Sequence, residues 1–263
     1  MAMALEAFTT YPPIHYASKP PALPSDPEEA RFVLKYEAAI GYRIFASMRW
    51  GQLGDGHISA RDPILTDHFW MLGYGIPFHR ATVDDLVLVS PDREIVAGPT
   101  DGGVNHAGYN IHYPIFETKP WVISAAHTHT PYGTPFSAEV RPFEPISQES
   151  CCFYGNQSIY MGEDLEVHST DGGYRISEAM GTTRLCVLRN HGLLTGAESP
   201  AAAVGWFVVA ERVAEVHIKA REAKPIGDIE AADVATRMGD PDLGWRMFQW
   251  LARDLVPDPS VVL

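Results

Sequence analysis

Two short apolar runs, each leading to histidine, restrict this chain more than anything else in it. Trp121-Val122-Ile123-Ser124 runs through Ala125-Ala126 into His127-Thr128-His129-Thr130-Pro131, and Leu185-Cys186-Val187-Leu188 runs through Arg189-Asn190 to His191-Gly192. Both runs are apolar and partly β-branched, so they read as strands. Residues two apart on a strand point to the same face, which lets His127 and His129 aim at one point. Two strands delivering three imidazoles to one locus is how a divalent-metal site with open coordination positions is built. In a chain with 11 histidines a His-x-His pair arises readily by chance. The third histidine, after its own strand and ahead of a glycine, is what turns the pair toward metal.

The rest of the chain offers one large α/β frame for these runs. At 263 residues with 46% hydrophobic and 20% charged content it is long and apolar enough for a substantial core. Residues 1–26 are proline-rich and read as an arm lying on the surface or on a neighbour. Ser25-Asp26-Pro27-Glu28-Glu29 is a helix start, with a cap, a first-turn proline and acids beside the dipole. The helix is expected to run to about Trp50, and residues 27–263 form a single domain. Strands are expected at 56–60, 66–72 and Leu86 to Ser90, and helices from about Asn105 to Glu117 and Pro131 to Ala138. Further helices are expected over Ser169 to Met180, Ser199 to Ala223 and, with a break at Gly239-Asp240-Pro241, Ile229 to Arg253. Helices and strands mixed in this way predict layers packed around a central sheet.

A net charge of -13 disfavours nucleic acid and anionic membrane as partners, since both require basic patches. Cys151, Cys152 and Cys186 form no disulfide framework and no zinc-ribbon spacing. The first twenty residues lack a basic region followed by an apolar run, and no stretch approaches the length of a membrane span. A cytoplasmic enzyme acting on a small molecule is the plain expectation.

His127-Thr-His129-Thr-Pro and Arg189-Asn190-His191-Gly192-Leu193-Leu194-Thr195 resemble the metal-binding motifs of the class II aldolase/adducin superfamily, and the likeness extends from about Glu29 to about Lys224. The resemblance implies a three-layer α/β/α fold with a mostly antiparallel sheet, and His127, His129 and His191 as the ligands of a divalent metal, zinc or iron. It also implies a homo-oligomer, in that family usually a tetramer. In the aldolases and sugar-phosphate epimerases of the family, the metal polarises a hydroxy-ketone so that a neighbouring C–C bond breaks. An acidic residue nineteen positions before the first histidine assists there; here that position is Gly108. Where the aldolases carry Ser/Thr-rich glycine turns for phosphate, this chain has Gly54-Asp55-Gly56-His57-Ile58-Ser59 and the apolar, aromatic Leu72-Gly73-Tyr74-Gly75-Ile76-Pro77. These departures resemble the adducin-like branch, and also a set of non-haem iron enzymes that oxidatively decarboxylate aromatic 2-oxo and 2-hydroxy acids.

Three functions follow as expectations. The first is metal-dependent cleavage, aldol-type or decarboxylating, of a C–C bond in a small unphosphorylated oxo or hydroxy acid, with Phe69, Trp70, Tyr74, Phe78 and Tyr154 suiting an aromatic substrate. The second is iron- and oxygen-dependent decarboxylation of an aromatic acid, and the third an adducin-like interaction module without turnover. His57 and Arg61 are expected to orient the substrate, Arg61 by a bidentate grip on its carboxylate, against the plainer reading of a local Arg61–Asp62 pair. Tyr132 and Tyr154 are candidate proton donors, each with a packing role as the rival reading. His112 is expected to be a core or capping histidine. Glu149 is a weak substitute acid, and Glu211 and Glu215 form a solvated or intersubunit face.

Overall fold

A computed structural model describes residues 19–263; most of the proline-rich arm, residues 1–18, lies outside the described residues. Asp26 caps the first helix, α1 (Pro27–Ser47), by accepting from the backbone N–H groups of Glu28 and Glu29. After it come β1 (Gly56–Arg61), β2 (Phe69–Leu72), β3 (Leu86–Val89), β4 (Ile95–Ala97), α2 (His106–Thr118) and β5 (Ser124–Thr128). The chain continues through α3 (Gly133–Ser137), β6 (Gln157–Tyr160), α4 (Thr170–Met180), β7 (Leu185–Leu188), β8 (Gly192–Ala197), α5 (Pro200–Lys219), α6 (Asp228–Met238) and α7 (Asp242–Leu255).

The eight strands form one sheet in the order β4-β3-β2-β1-β5-β8-β7-β6. Every pairing is antiparallel except β6 with β7, which α4 connects as a crossover. The expected mostly antiparallel, helix-flanked α/β sheet is therefore what the chain forms. Alternation of side chains gives each sheet face its own core. Ile58, Ala60, Trp70, Leu88, Ala126 and Leu193 pack under α1, α5 and α7. Phe69, Met71, Val87, Ala125, Cys186 and Leu194 pack under α2 and α4.

Three local expectations change. The second strand begins at Phe69, because the Asp62 carboxylate accepts from Ile64 N, Leu65 N and Trp70 Nε1 and holds the preceding residues in a loop. Strands β4 and β8 carry weak strand signals, three residues in one and two glycines in the other, yet both are paired. His191 stands in the three-residue β7–β8 turn rather than on a strand, with Asn190 taking the left-handed backbone (φ 56) that asparagine tolerates.

Candidate metal centre

β1 and β5 lie side by side with His57 opposite His127, and β8 flanks β5 on its other edge. His127 and His57 share the sheet face that looks toward α2. His129 follows one residue after β5 ends, and the β7–β8 turn brings in His191. The ring centroids are 5.4 Å apart for His127 and His129, 4.7 Å for His127 and His191, and 5.0 Å for His129 and His191. One ring nitrogen from each lies within 4.8 Å of the other two. The structure thus brings together the three histidines that the sequence singled out.

Their hydrogen bonding suits a metal. Nδ1 of His127 donates to the Leu193 carbonyl at 2.7 Å, which fixes the tautomer and leaves the Nε2 lone pair free. Nδ1 of His191 is buried without a partner among the described residues. Burial, with the neighbouring imidazoles adding to it, holds His127 well below the ordinary imidazole range and pushes His191 down to about 4. Both rings are therefore neutral at physiological pH, the form that ligates metal. His127 is buried, His191 half-buried and His129 exposed, so the cluster opens on one side. Three imidazoles converging on an open side fit a divalent ion that keeps positions for substrate.

A second cluster adjoins the first. The His57 ring lies 5.0 Å from that of His127, and its Nδ1 is 2.7 Å from Nε2 of His112 on α2. Nδ1 of His112 in turn meets the Ser59 hydroxyl. All three residues are buried, and burial holds His57 well below the imidazole range and His112 at about 3. The chain of bonds is uncharged and uses one nitrogen of His57, leaving Nε2 without a partner among the described residues. His112 is the expected core histidine, with the added role of fixing the His57 ring.

Gly108 faces the same place. A Cβ there would stand 2.9 Å from two carbons of the His57 ring and 3.0 Å from Cε of Met71. The space into which a side chain at this position would grow is filled by His57. Asp55 supplies a carboxylate nearby: its carbonyl accepts from Thr128 Oγ1 at 2.8 Å and His129 N at 3.1 Å, and Oδ2 lies 3.8 Å from Nδ1 of His129. Its position inside a glycine turn offered no signal of this.

His57 also lines a cleft of about 710 Å³ between the glycine turn at 51–56 and the 72–79 segment. Trp50, Met71, Tyr74 and Phe78 furnish its apolar wall, and among the described residues no lysine or arginine lines it. Of the five aromatic residues expected to suit a substrate, Tyr74 and Phe78 are therefore here. Phe69 and Trp70 are core residues of opposite sheet faces.

The other candidates have different employment. Arg61 lies at the far end of β1, about 13 Å along the strand from His57. Its guanidinium donates to the carbonyls of Phe116, Lys119, Val122 and Thr66 and stacks on the Phe116 ring. It closes the C-terminal end of α2, which corrects the expectation of a substrate carboxylate grip. The rival Arg61–Asp62 pair is also absent among the described residues, because Asp62 takes a bidentate contact from Arg31. Tyr132 lies against Lys219, with the ammonium 5.1 Å from its ring, and its backbone N–H donates to Glu211. Tyr154 ends the turn at Ser150–Phe153 and bonds Asp228 of α6, on another part of the surface. Glu149 heads that same turn. Glu211 and Glu215 part company: Glu215 pairs with Lys219 in solvent, whereas Glu211 is buried and bonded to the loop after His129. Glu211 falls on the apolar stripe of α5, with Val204, Phe207 and Ala214 at helical spacing, and that was the signal available.

No helix among the described residues is long and apolar enough to cross a membrane. The sequence profile of the class II aldolase and adducin N-terminal domain matches residues 37–218. The decarboxylase NovR of Streptomyces niveus is 33% identical over 262 residues, covering 97% of this chain and 96% of that protein. The 4-hydroxy-3-prenylphenylpyruvate oxygenase/4-hydroxy-3-prenylbenzoate synthase of Streptomyces roseochromogenus subsp. oscitans is 32% identical over 249 residues, covering 93% of this chain and 89% of that one. Among solved structures, the L-fuculose 1-phosphate aldolase from Glaciozyma antarctica PI12 superposes with a TM-score of 0.82 at 30% identity, covering 92% of this chain and 96% of that one.

Proposed function

The chain belongs to the class II aldolase and adducin family, and from that premise we propose that it is a metal-dependent enzyme that removes the carboxyl carbon of a small, unphosphorylated, aromatic 2-oxo or 2-hydroxy acid. One observation carries the reading. The three-histidine cluster adjoins, through His57, a cleft walled by Trp50, Tyr74 and Phe78 and, among the described residues, lined by no lysine or arginine. Among the described residues a phosphate in that cleft would meet no lysine or arginine, whereas an aromatic ring meets apolar surface. The two Streptomyces relatives, one named a decarboxylase and the other a 4-hydroxy-3-prenylphenylpyruvate oxygenase, support the same class.

His127, His129 and His191 would hold zinc or iron, since imidazole suits both. When bound, the ion supplies Lewis acidity at the substrate's oxygens and a counter-charge for its carboxylate. The protein's own part is orientation and proton handling. Trp50, Tyr74 and Phe78 seat the ring, and Nε2 of His57 meets a substrate oxygen. Ser59 and His112 hold that imidazole in place without placing a charge in the core. Three protein ligands leave open positions, which favours turnover over a purely structural ion in an interaction module.

A second reading within this class makes dioxygen the co-substrate, so that an arylpyruvate and O2 give CO2 and the 2-hydroxy acid one carbon shorter, one oxygen atom entering the new carboxyl group and the other the new hydroxyl. Gly108 favours it, because bond cleavage driven by oxygen needs no carboxyl group at that position. Without oxygen, the same 2-oxo acid gives an aldehyde and CO2, with a proton taken up at the acyl carbon. An oxygen electrode separates the two with iron-loaded protein and phenylpyruvate. Uptake of one O2 per acid consumed supports the oxygenase, and consumption without uptake the lyase. Failure to consume any aromatic 2-oxo or 2-hydroxy acid with iron or zinc would sink both. We also propose a homo-oligomer, a tetramer by resemblance. Leu53, 92% exposed beside the cleft, and Tyr74, 60% exposed at its wall, support a covering subunit. A monomer by light scattering would contradict this.

A further inference from the structure

We propose that Glu211 is the positioning residue of the histidine cluster: its buried carboxylate pins the loop that leaves His129 and, through α3, the turn that carries His191. The inference rests on the reading of the cluster as a metal centre, and it concerns what holds the ligands in register.

Glu211 is 4% exposed and sits on α5, whose neighbours at that level are apolar. Its two oxygens accept three hydrogen bonds from the four residues that follow His129. Oε2 takes the Thr130 hydroxyl at 2.6 Å and Gly133 N at 2.6 Å, and Oε1 takes Tyr132 N at 2.9 Å. All three partners are donors to the carboxylate, so the site calls for two acceptor oxygens. A glutamine would turn an NH2 group toward a backbone N–H and lose at least one bond. Among the described residues no lysine or arginine pairs with Glu211, so ion pairing does not explain the carboxylate. A Cβ on Gly133 would lie 2.8 Å from Oε2 and 2.7 Å from Thr130 Oγ1, so the loop has a glycine where the carboxylate comes close.

The anchor reaches the second loop as well. α3 starts at Gly133, on the carboxylate, and ends at Ser137, whose carbonyl accepts from Asn190 N at 3.2 Å. His191 is the next residue. Thr134 ties the short helix back to Thr130 through its hydroxyl, which accepts from Thr130 N at 3.0 Å. A shift of α3 on loss of the carboxylate therefore moves the backbone beside His129 and the backbone beside His191 together. His127, placed inside β5 and bonded to Leu193, stays where the sheet puts it. Both oxygens of Glu211 are engaged in this way, so it acts through the loops and not as a ligand itself.

The test uses the full chain, stripped of metal and reloaded with cobalt(II) alone. Cobalt affinity is measured by competition with a chromophoric chelator, and the visible absorption of the bound ion reports its geometry. Glu211→Gln is expected to weaken cobalt binding about 10- to 100-fold and to change the spectrum. Thr130→Val, which removes one donor and keeps the carboxylate, is expected to weaken it about fivefold with near wild-type thermal unfolding of the metal-free protein. Wild-type affinity and spectrum in Thr130→Val and in folded Glu211→Gln would overturn the inference. Should Glu211→Gln fail to fold, Thr130→Val decides alone, on the same criteria. Failure of the wild-type protein itself to bind cobalt overturns the metal reading and this inference with it. Tight wild-type binding that neither variant disturbs overturns this inference only.

Discussion

Strand β1 carries a polar side chain toward the α2 face at each of its ends, and the two ends do opposite things. At the Arg61 end four of the five N–H donors of the guanidinium are taken by backbone carbonyls, and a phenyl ring lies beneath it. At the His57 end one ring nitrogen is tied to His112, the other has no partner among the described residues, and the residue lines the cleft next to His127. Both residues read from sequence as substrate contacts. What separates them is whether the fold uses up their hydrogen-bonding capacity, and a functional end of a strand is one where capacity is left over.

The largest expected effect lies at the histidine end. His127→Ala should reduce bound metal to well below one equivalent by elemental analysis and cut turnover by more than about 10³-fold, while the fold survives. Retained metal and turnover would erase the distinction between the ends. At the other end, Arg61→Met leaves several carbonyls at the close of α2 without their donor. It should cost about 2–4 kcal/mol in urea unfolding, with metal stoichiometry unchanged. A loss of substrate affinity without loss of stability would return Arg61 to the site.

A smaller effect is expected for His57→Gln, about 10²-fold in kcat with metal retained, by steady-state kinetics and elemental analysis on the same sample. Unchanged kcat would make His57 a packing residue like its counterpart. The smallest effect is in the acid limb of stability. Burial holds His112 at about 3 and His191 at about 4, against about 6.5 in the unfolded chain. Above 6.5 their contribution is fully present. As pH falls below that, the unfolded chain takes up protons that the folded rings do not, and stability drops toward the folded values. Each ring adds up to about 1.4 kcal/mol per pH unit to that slope. Urea unfolding of metal-free protein at pH 7.5, 6.5 and 5.5 should show the fall. His112→Gln should lessen the slope, and Arg61→Met should lower stability without changing it.

Much of this was legible before any coordinates. Asp26 and Ser199 cap their helices where capping chemistry places them, and the apolar runs before His127 and His191 are strands. The three histidines meet because residues near strand ends inherit the sheet's register. What stayed hidden depends on partners distant in sequence. Nothing local to Arg61 tells that α2 will end beside it, and nothing in Gly54-Asp55-Gly56 tells that His129 N will reach the Asp55 carbonyl. Gly108 looked like a missing acid; in three dimensions it is the room that the His57 ring occupies. Glu211 was readable in part, as an acid on an apolar stripe, but its three donors lie about 80 residues earlier in the chain.

The central claim is that the histidine end of β1 and its cleft decarboxylate an aromatic acid. Its most direct test is CO2 release from carboxyl-labelled phenylpyruvate by protein loaded with iron(II) or zinc(II), in air and without oxygen. One CO2 per acid consumed, abolished by His127→Ala and unaffected in kind by Arg61→Met, is the result expected. Bound metal with no CO2 from any aromatic 2-oxo or 2-hydroxy acid, under either atmosphere, would contradict it.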